Sequence, residues 1–247
     1  LMESTDGGET WSERRWLHVD AAGKPDAAAL GLTNLGGGKL LAYPENLSTD
    51  WLSDDYGKTW TARAAKTDGE RYTWNPALVL PAEKDAPARL TQAVWQPTGV
   101  PWGSDEAPYS QAYFRVSSDA GATWSDAVKV PQWLGVNEVC LFRAKNGDWL
   151  AACRTDNPKR FAKTQFDHYS GLGVSISKDE GKTWSALNLL REYGRHHPSL
   201  VQLPDGRIVM TYVVRLGYPK VPDGYDQFGV EAVVSADNGA TWDLDHR

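Results

Sequence analysis

Cysteine is nearly absent from this chain: 247 residues carry only Cys140 and Cys153. There is no cluster of lysine and arginine, and the net charge is −6. That excludes nucleic acid as the main partner, because phosphate recognition needs clustered cations. No apolar stretch is long enough to span a bilayer. His and Cys never recur at metal-ligand spacing, so neither a metal nor another cofactor is implied. Long helical periodicity is missing as well.

One eight-residue pattern is abundant. STDGGETW (4–11), SDDYGKTW (53–60), SSDAGATW (117–124), SKDEGKTW (177–184) and SADNGATW (235–242) all read Ser-x-Asp-x-Gly-x-Thr-Trp. Their aspartates are Asp6, Asp55, Asp119, Asp179 and Asp237. Such self-similarity marks a repeat architecture, in which each unit needs its neighbours to bury a core. Upstream of each pattern lie β-rich runs around a glycine turn, clearest in VCLFRAKNGDWLAAC (139–153) and SLVQLPDGRIVMTYVV (199–214). A repeat therefore reads strand, tight turn, strand, variable loop, strand, box, strand. Four antiparallel strands per unit is the mark of a propeller blade.

The box has a structural logic of its own. Its aspartate can accept backbone N–H bonds across a turn. Its glycine supplies a positive φ, and its tryptophan has enough area to pack between sheets. Nothing in it requires a substrate, so the five aspartates are read as structural. The turn at Asn146-Gly147, taken as a two-residue loop, sets Cys140 directly opposite Cys153 as close cross-strand neighbours, either bonded or as two buried thiols.

Ser-x-Asp-x-Gly-x-Thr-Trp is the Asp-box, and the chain resembles the sialidase (neuraminidase) superfamily along its whole length. The resemblance implies an all-β, six-bladed propeller. Within it this chain supplies about four full blades (26–64, 71–128, 134–190 and 193–247) and part of another (1–25). Both ends read as cuts in a longer chain. A secreted or periplasmic location follows from the resemblance, although the segment holds no signal peptide.

Strand topology places the boxes at one end and the long, variable loops at the other, where function usually gathers. At that loop end NEVCLFRAKNGDWLAACR (137–154) is similar to the sialidase segment carrying a glutamate and an arginine. By that likeness Glu138 takes a proton from a nucleophilic tyrosine, in a retaining mechanism, and Arg154 grips a substrate carboxylate. The likeness implies an exo-acting glycoside hydrolase on a terminal acidic sugar. Its other machinery, an arginine and an aspartate upstream and the tyrosine downstream, falls outside residues 1–247, so this segment alone is expected to be inactive. The family's third arginine is not matched: GVEAVVS (229–235) carries Glu231 instead, and Arg195 or Arg215 is the candidate replacement. GRHHPSL (194–200) adds His197 as a binding or proton-transfer group, with His196 directed to the opposite strand face. Trp74, Trp95 and Trp102 can stack on sugars or pack between blades. A non-catalytic glycan-binding propeller and a polysaccharide lyase using a His and Tyr pair near His197 are the alternatives.

Overall fold

The computed structural model describes residues 1–18, 22–23, 30–43, 49–64, 71–81, 86–101, 108–164, 169–216 and 227–247. Among them, regular structure is all β apart from one short 3-10 helix, Lys159–Thr164. Four antiparallel sheets follow one another along the chain. The first is β1 (Gly31–Gly36), β2 (Lys39–Tyr43), β3 (Thr49–Ser53) and β4 (Thr61–Ala64). The second is β5 (Leu78–Leu80), β6 (Arg89–Pro97), β7 (Ser110–Ser117) and β8 (Val128–Leu134). The third is β9 (Val136–Arg143), β10 (Trp149–Thr155), β11 (Leu172–Ser177) and β12 (Asn188–Arg191). The fourth is β13 (Arg195–Gln202), β14 (Ile208–Leu216) and β15 (Gln227–Ser235). In each sheet the strands lie in sequence order.

The hydrophobic core is distributed between sheets rather than gathered at one centre. Leu41 and Tyr43 of the first sheet pack with Leu90 and Val94 of the second. Trp133 of the second meets Trp149, Cys153 and Trp184 of the third. Leu172 and Val174 of the third meet Met210, Tyr212 and Val214 of the fourth. Successive sheets also touch through their first strands. Stacked sheets with their first strands together are consistent with propeller blades around an axis.

The boxes are built alike. In the third sheet Ser177 Oγ accepts the N–H of Gly181 at 2.8 Å and donates to Asp179 at 2.8 Å. Asp179 also accepts the Thr183 N–H at 2.8 Å and the Thr183 hydroxyl at 2.6 Å. The residue before the box glycine also adopts positive φ, at Tyr56, Ala120, Glu180 and Asn238, so each corner bends through two consecutive left-handed residues. The sequence pattern conceals this, because that position accepts any residue type. The tryptophans vary in role: Trp184 is buried in an inter-sheet core, whereas Trp11 is 59% exposed.

These hydrogen bonds, led by the threonine hydroxyl, pull the Asp55 and Asp179 carboxyls down to about 2. Asp6 is lowered by the same contacts. Burial works against Asp119 and Asp237, but their threonine and serine bonds outweigh it and keep both low. A carboxylate with a depressed folded-state pKa stabilises the fold above its unfolded pKa, and that contribution is lost as pH falls. Acid unfolding, followed by circular dichroism, is therefore expected to begin below about pH 4 and to steepen toward pH 2. Asp119→Asn should flatten that limb.

The cysteines correct the expected register. Ala144 pairs with Asp148, so the loop holds three residues, with Gly147 at φ 96°. Cys140 then faces Ala152, and Cys153 faces Val139. A one-residue slip sends the two side chains to opposite faces of the sheet. Cys153 joins the core toward the second sheet, and its thiol donates to the Gly173 carbonyl at 3.4 Å. The Cys140 thiol instead bonds backbone at Leu200 of the fourth sheet. Both are free, buried thiols, and burial pushes them up to about 11 for Cys140 and about 12 for Cys153.

Candidate functional site

The boxes lie beside the turns that join first and second strands: Ala120 N–H bonds the Ala88 carbonyl at 2.9 Å, and Tyr56 N–H bonds Gly38 at 2.8 Å. The opposite end holds the starts of first strands and the ends of second strands. Glu138 stands near the start of β9 and Arg154 near the end of β10, so both lie on the rim away from the boxes.

There Arg154 Nη1 donates to Glu138 Oε1 at 2.6 Å. Both side chains are buried. The second carboxylate oxygen, Oε2, meets His197 Nδ1, which arrives from the start of β13 in the next sheet. Trp74, just before β5, completes the group. Its ring centroid is 6.4 Å from that of His197, and with Thr73 and Trp95 it packs against Glu138. The Trp74 indole N–H is buried and takes no hydrogen bond among the described residues. Trp95 is half-buried, with its ring 5.2 Å from that of Tyr72.

The local backbone explains the convergence. Glu138 (φ 39°) and His197 (φ 55°) are both non-glycine residues in the left-handed region. Each sits at an irregularity of register, between Cys153 and Arg154 in one sheet and between His196 and Ser199 in the other. Each is the third residue of its strand, after a positive-φ glycine, Gly135 or Gly194. Such bulges re-aim side chains and are over-represented beside active sites. Sequence reasoning missed this equivalence. Aligning GVNEV with GRHHP by their leading glycines would have found it.

Arg195 takes a different course. It faces the inter-sheet space beside Val214 and forms a forked pair with Glu231, at 2.8 and 3.2 Å. Glu231 also accepts the Tyr212 hydroxyl at 3.1 Å and Arg247 Nε at 3.2 Å. Burial disfavours the Glu231 charge, but Arg195 first, then Tyr212 and Arg247, outweigh it and lower its pKa. Burial, reinforced by the Glu231 charge, raises Tyr212. His196 is fully buried, with its ring 4.3 Å from that of His197. Arg215 pairs with Phe228 near the end of β14. Trp102 lies outside the described residues.

One supporting residue was not anticipated. Asp156, just beyond β10, accepts the N–H groups of Tyr109 and Ser110 at 2.8 and 3.0 Å, and the Ser110 hydroxyl and Asn137 amide as well. It ties β7 to the start of β9 at Asn137, the residue before Glu138. Burial raises its pKa despite these donors.

The repeated corner, the inter-sheet cores and the opposed rim define an Asp-box repeat protein of the sialidase superfamily. The chain belongs to the BNR repeat-like domain family, whose model matches residues 49–247, and a BNR/Asp-box repeat matches residues 2–13. No curated protein sequence matches it. Among solved structures it resembles a protein of unknown function from Dyadobacter fermentans (19% identity, TM-score 0.67), covering 97% of this chain and 68% of that one. It also resembles the α-L-arabinofuranosidase Arb93A of Fusarium graminearum (21% identity, TM-score 0.56), covering 84% and 62%. The Trypanosoma rangeli sialidase in complex with sialic acid aligns at 15% identity and TM-score 0.54, covering 91% and 39%. The chain thus spans less than two thirds of either enzyme. At these identities the likeness establishes a glycoside hydrolase-like fold.

Proposed function

We propose that this chain carries the glycan-processing rim of an exo-acting glycoside hydrolase, centred on Trp74, Glu138, Arg154 and His197. The observation that carries this reading is the buried Glu138 carboxylate, held by Arg154 and His197 on a strained backbone at the rim opposite the boxes. Buried charge in irregular backbone is costly, and such features concentrate at functional sites.

The charge pairing bears on the sugar. Arg154 is engaged by Glu138 and Arg195 by Glu231, so each cation already has an anionic partner. That favours a neutral terminal sugar, as in the arabinofuranosidase, over the acidic sugar of the sialidases. The acidic reading, with Glu138 activating a tyrosine and Arg154 gripping the substrate carboxylate, rests on the NEVCLFRAKNGDWLAACR segment alone.

The test is a set of 4-methylumbelliferyl glycosides offered to the full-length protein. Release from the α-L-arabinofuranoside is expected. Release only from the sialoside would restore the acidic-sugar reading. Glycan binding without release would make the protein a lectin.

A further inference from the structure

Three side chains share the rim, and they differ sharply in access. Glu138 is 3% exposed and Arg154 7%, whereas His197 is 28% exposed. One Glu138 oxygen accepts from Arg154; the other is buried against His197 Nδ1 and accepts no hydrogen bond among the described residues. A carboxylate so buried has no open route to a sugar. His197 does. Its Nδ1 is committed to Glu138, and among the described residues its Nε2 makes no hydrogen bond. The other charged or titratable groups recorded around it are Arg154 on β10 and His196 on its own strand.

Resting on the hydrolase reading, we infer that His197, and not Glu138, is the group that exchanges protons with the bound sugar, with Glu138 as its positioning residue. A carboxylate set against Nδ1 selects the Nδ1–H tautomer and leaves Nε2 directed outward. The left-handed backbone at His197, immediately before Pro198, holds the ring against Glu138 instead of letting it follow the strand. Trp74 flanks it with an apolar face on which a sugar ring can rest. In the reaction, the imidazolium Nε2–H protonates the leaving glycosidic oxygen as the anomeric C–O bond breaks, with the bonding pair departing on that oxygen. Water then adds through its oxygen to the anomeric carbon and returns a proton to Nε2. The balance is one water consumed and one glycosidic bond exchanged for two hydroxyls.

Two experiments on the full-length protein test this. In long-range ¹H–¹⁵N spectra, the neutral His197 ring is expected to carry its proton on Nδ1 and none on Nε2, a preference that Glu138→Gln abolishes. A proton resident on Nε2 in the neutral form would overturn the inference whatever the substrate. In the second, His197→Ala is assayed on paired 4-nitrophenyl and 2,4-dinitrophenyl α-L-arabinofuranosides and on arabinobiose. A group that protonates the leaving oxygen should cost about 10²–10⁴-fold on arabinobiose, far less on the dinitrophenyl substrate, and be partly rescued by added imidazole. Equal losses on all three, or no loss, would overturn it. If wild-type protein hydrolyses no glycoside while the expected tautomer is seen, the hydrolase reading itself has failed and the proton-transfer step falls with it.

Discussion

Replacing Glu138 with glutamine is expected to lower turnover by about 10³-fold while leaving the sheet content intact. The amide oxygen can still accept from Arg154, but the amide NH₂ then faces the His197 nitrogen that Glu138 now fixes. The tautomer is lost and the base is misdirected. Glu138→Ala adds a second cost. Both variants remove the counter-charge of the buried Arg154 guanidinium, but alanine also removes its hydrogen-bond acceptor, and such half-removed pairs cost about 3–5 kcal/mol. The glutamine variant should therefore melt below wild type and the alanine variant lower still, with both nearly inactive. Calorimetry beside the activity assay separates the two effects. A fully active Glu138→Gln protein would remove the rim from the mechanism.

Replacing Gly239 with alanine should be strongly destabilising. This box glycine sits at φ +88°, and a Cβ there would lie 2.1 Å from Leu150 Cδ2 of the neighbouring sheet. Leu150 is fully buried and packed with Ala144 and Ile208. Left-handed strain of about 1–2 kcal/mol and overpacking of about 1–3 kcal/mol act together. A fall in melting temperature of about 10 °C is expected for a chain of this size. Gly206→Ala provides the comparison: its φ is +95°, but nothing lies within 4 Å of the added atom. It should lose only the conformational part, about a third to a half of the Gly239→Ala effect. Equal losses at the two positions would mean that the box corner is not wedged against its neighbour.

The repeat was legible because each box residue has a local task. Serine, aspartate and threonine satisfy one another within seven residues, so their spacing survives whatever the sheets do. The separation of box rim from loop rim was legible too, because it follows from strand order alone. Register was not. A two-residue and a three-residue loop through Asn146-Gly147 read alike in sequence, and only the bond between Ala144 and Asp148 distinguishes them. The partners of charged groups were also hidden. Arg195 and Glu231 were each visible as chemistry-bearing residues, but their mutual pairing belongs to the packing of β13, β14 and β15 against the third sheet. The contact between Glu138 and His197 joins two sheets through two bulges, and bulges have no fixed sequence signature.

The most direct test of the account is where a sugar binds. In a crystal of the full-length protein soaked with arabinobiose, the account predicts the terminal ring over Trp74, with an oxygen about 3 Å from His197 Nε2. A sugar seated on the rim of the box corners, or between sheets away from Glu138, would contradict it.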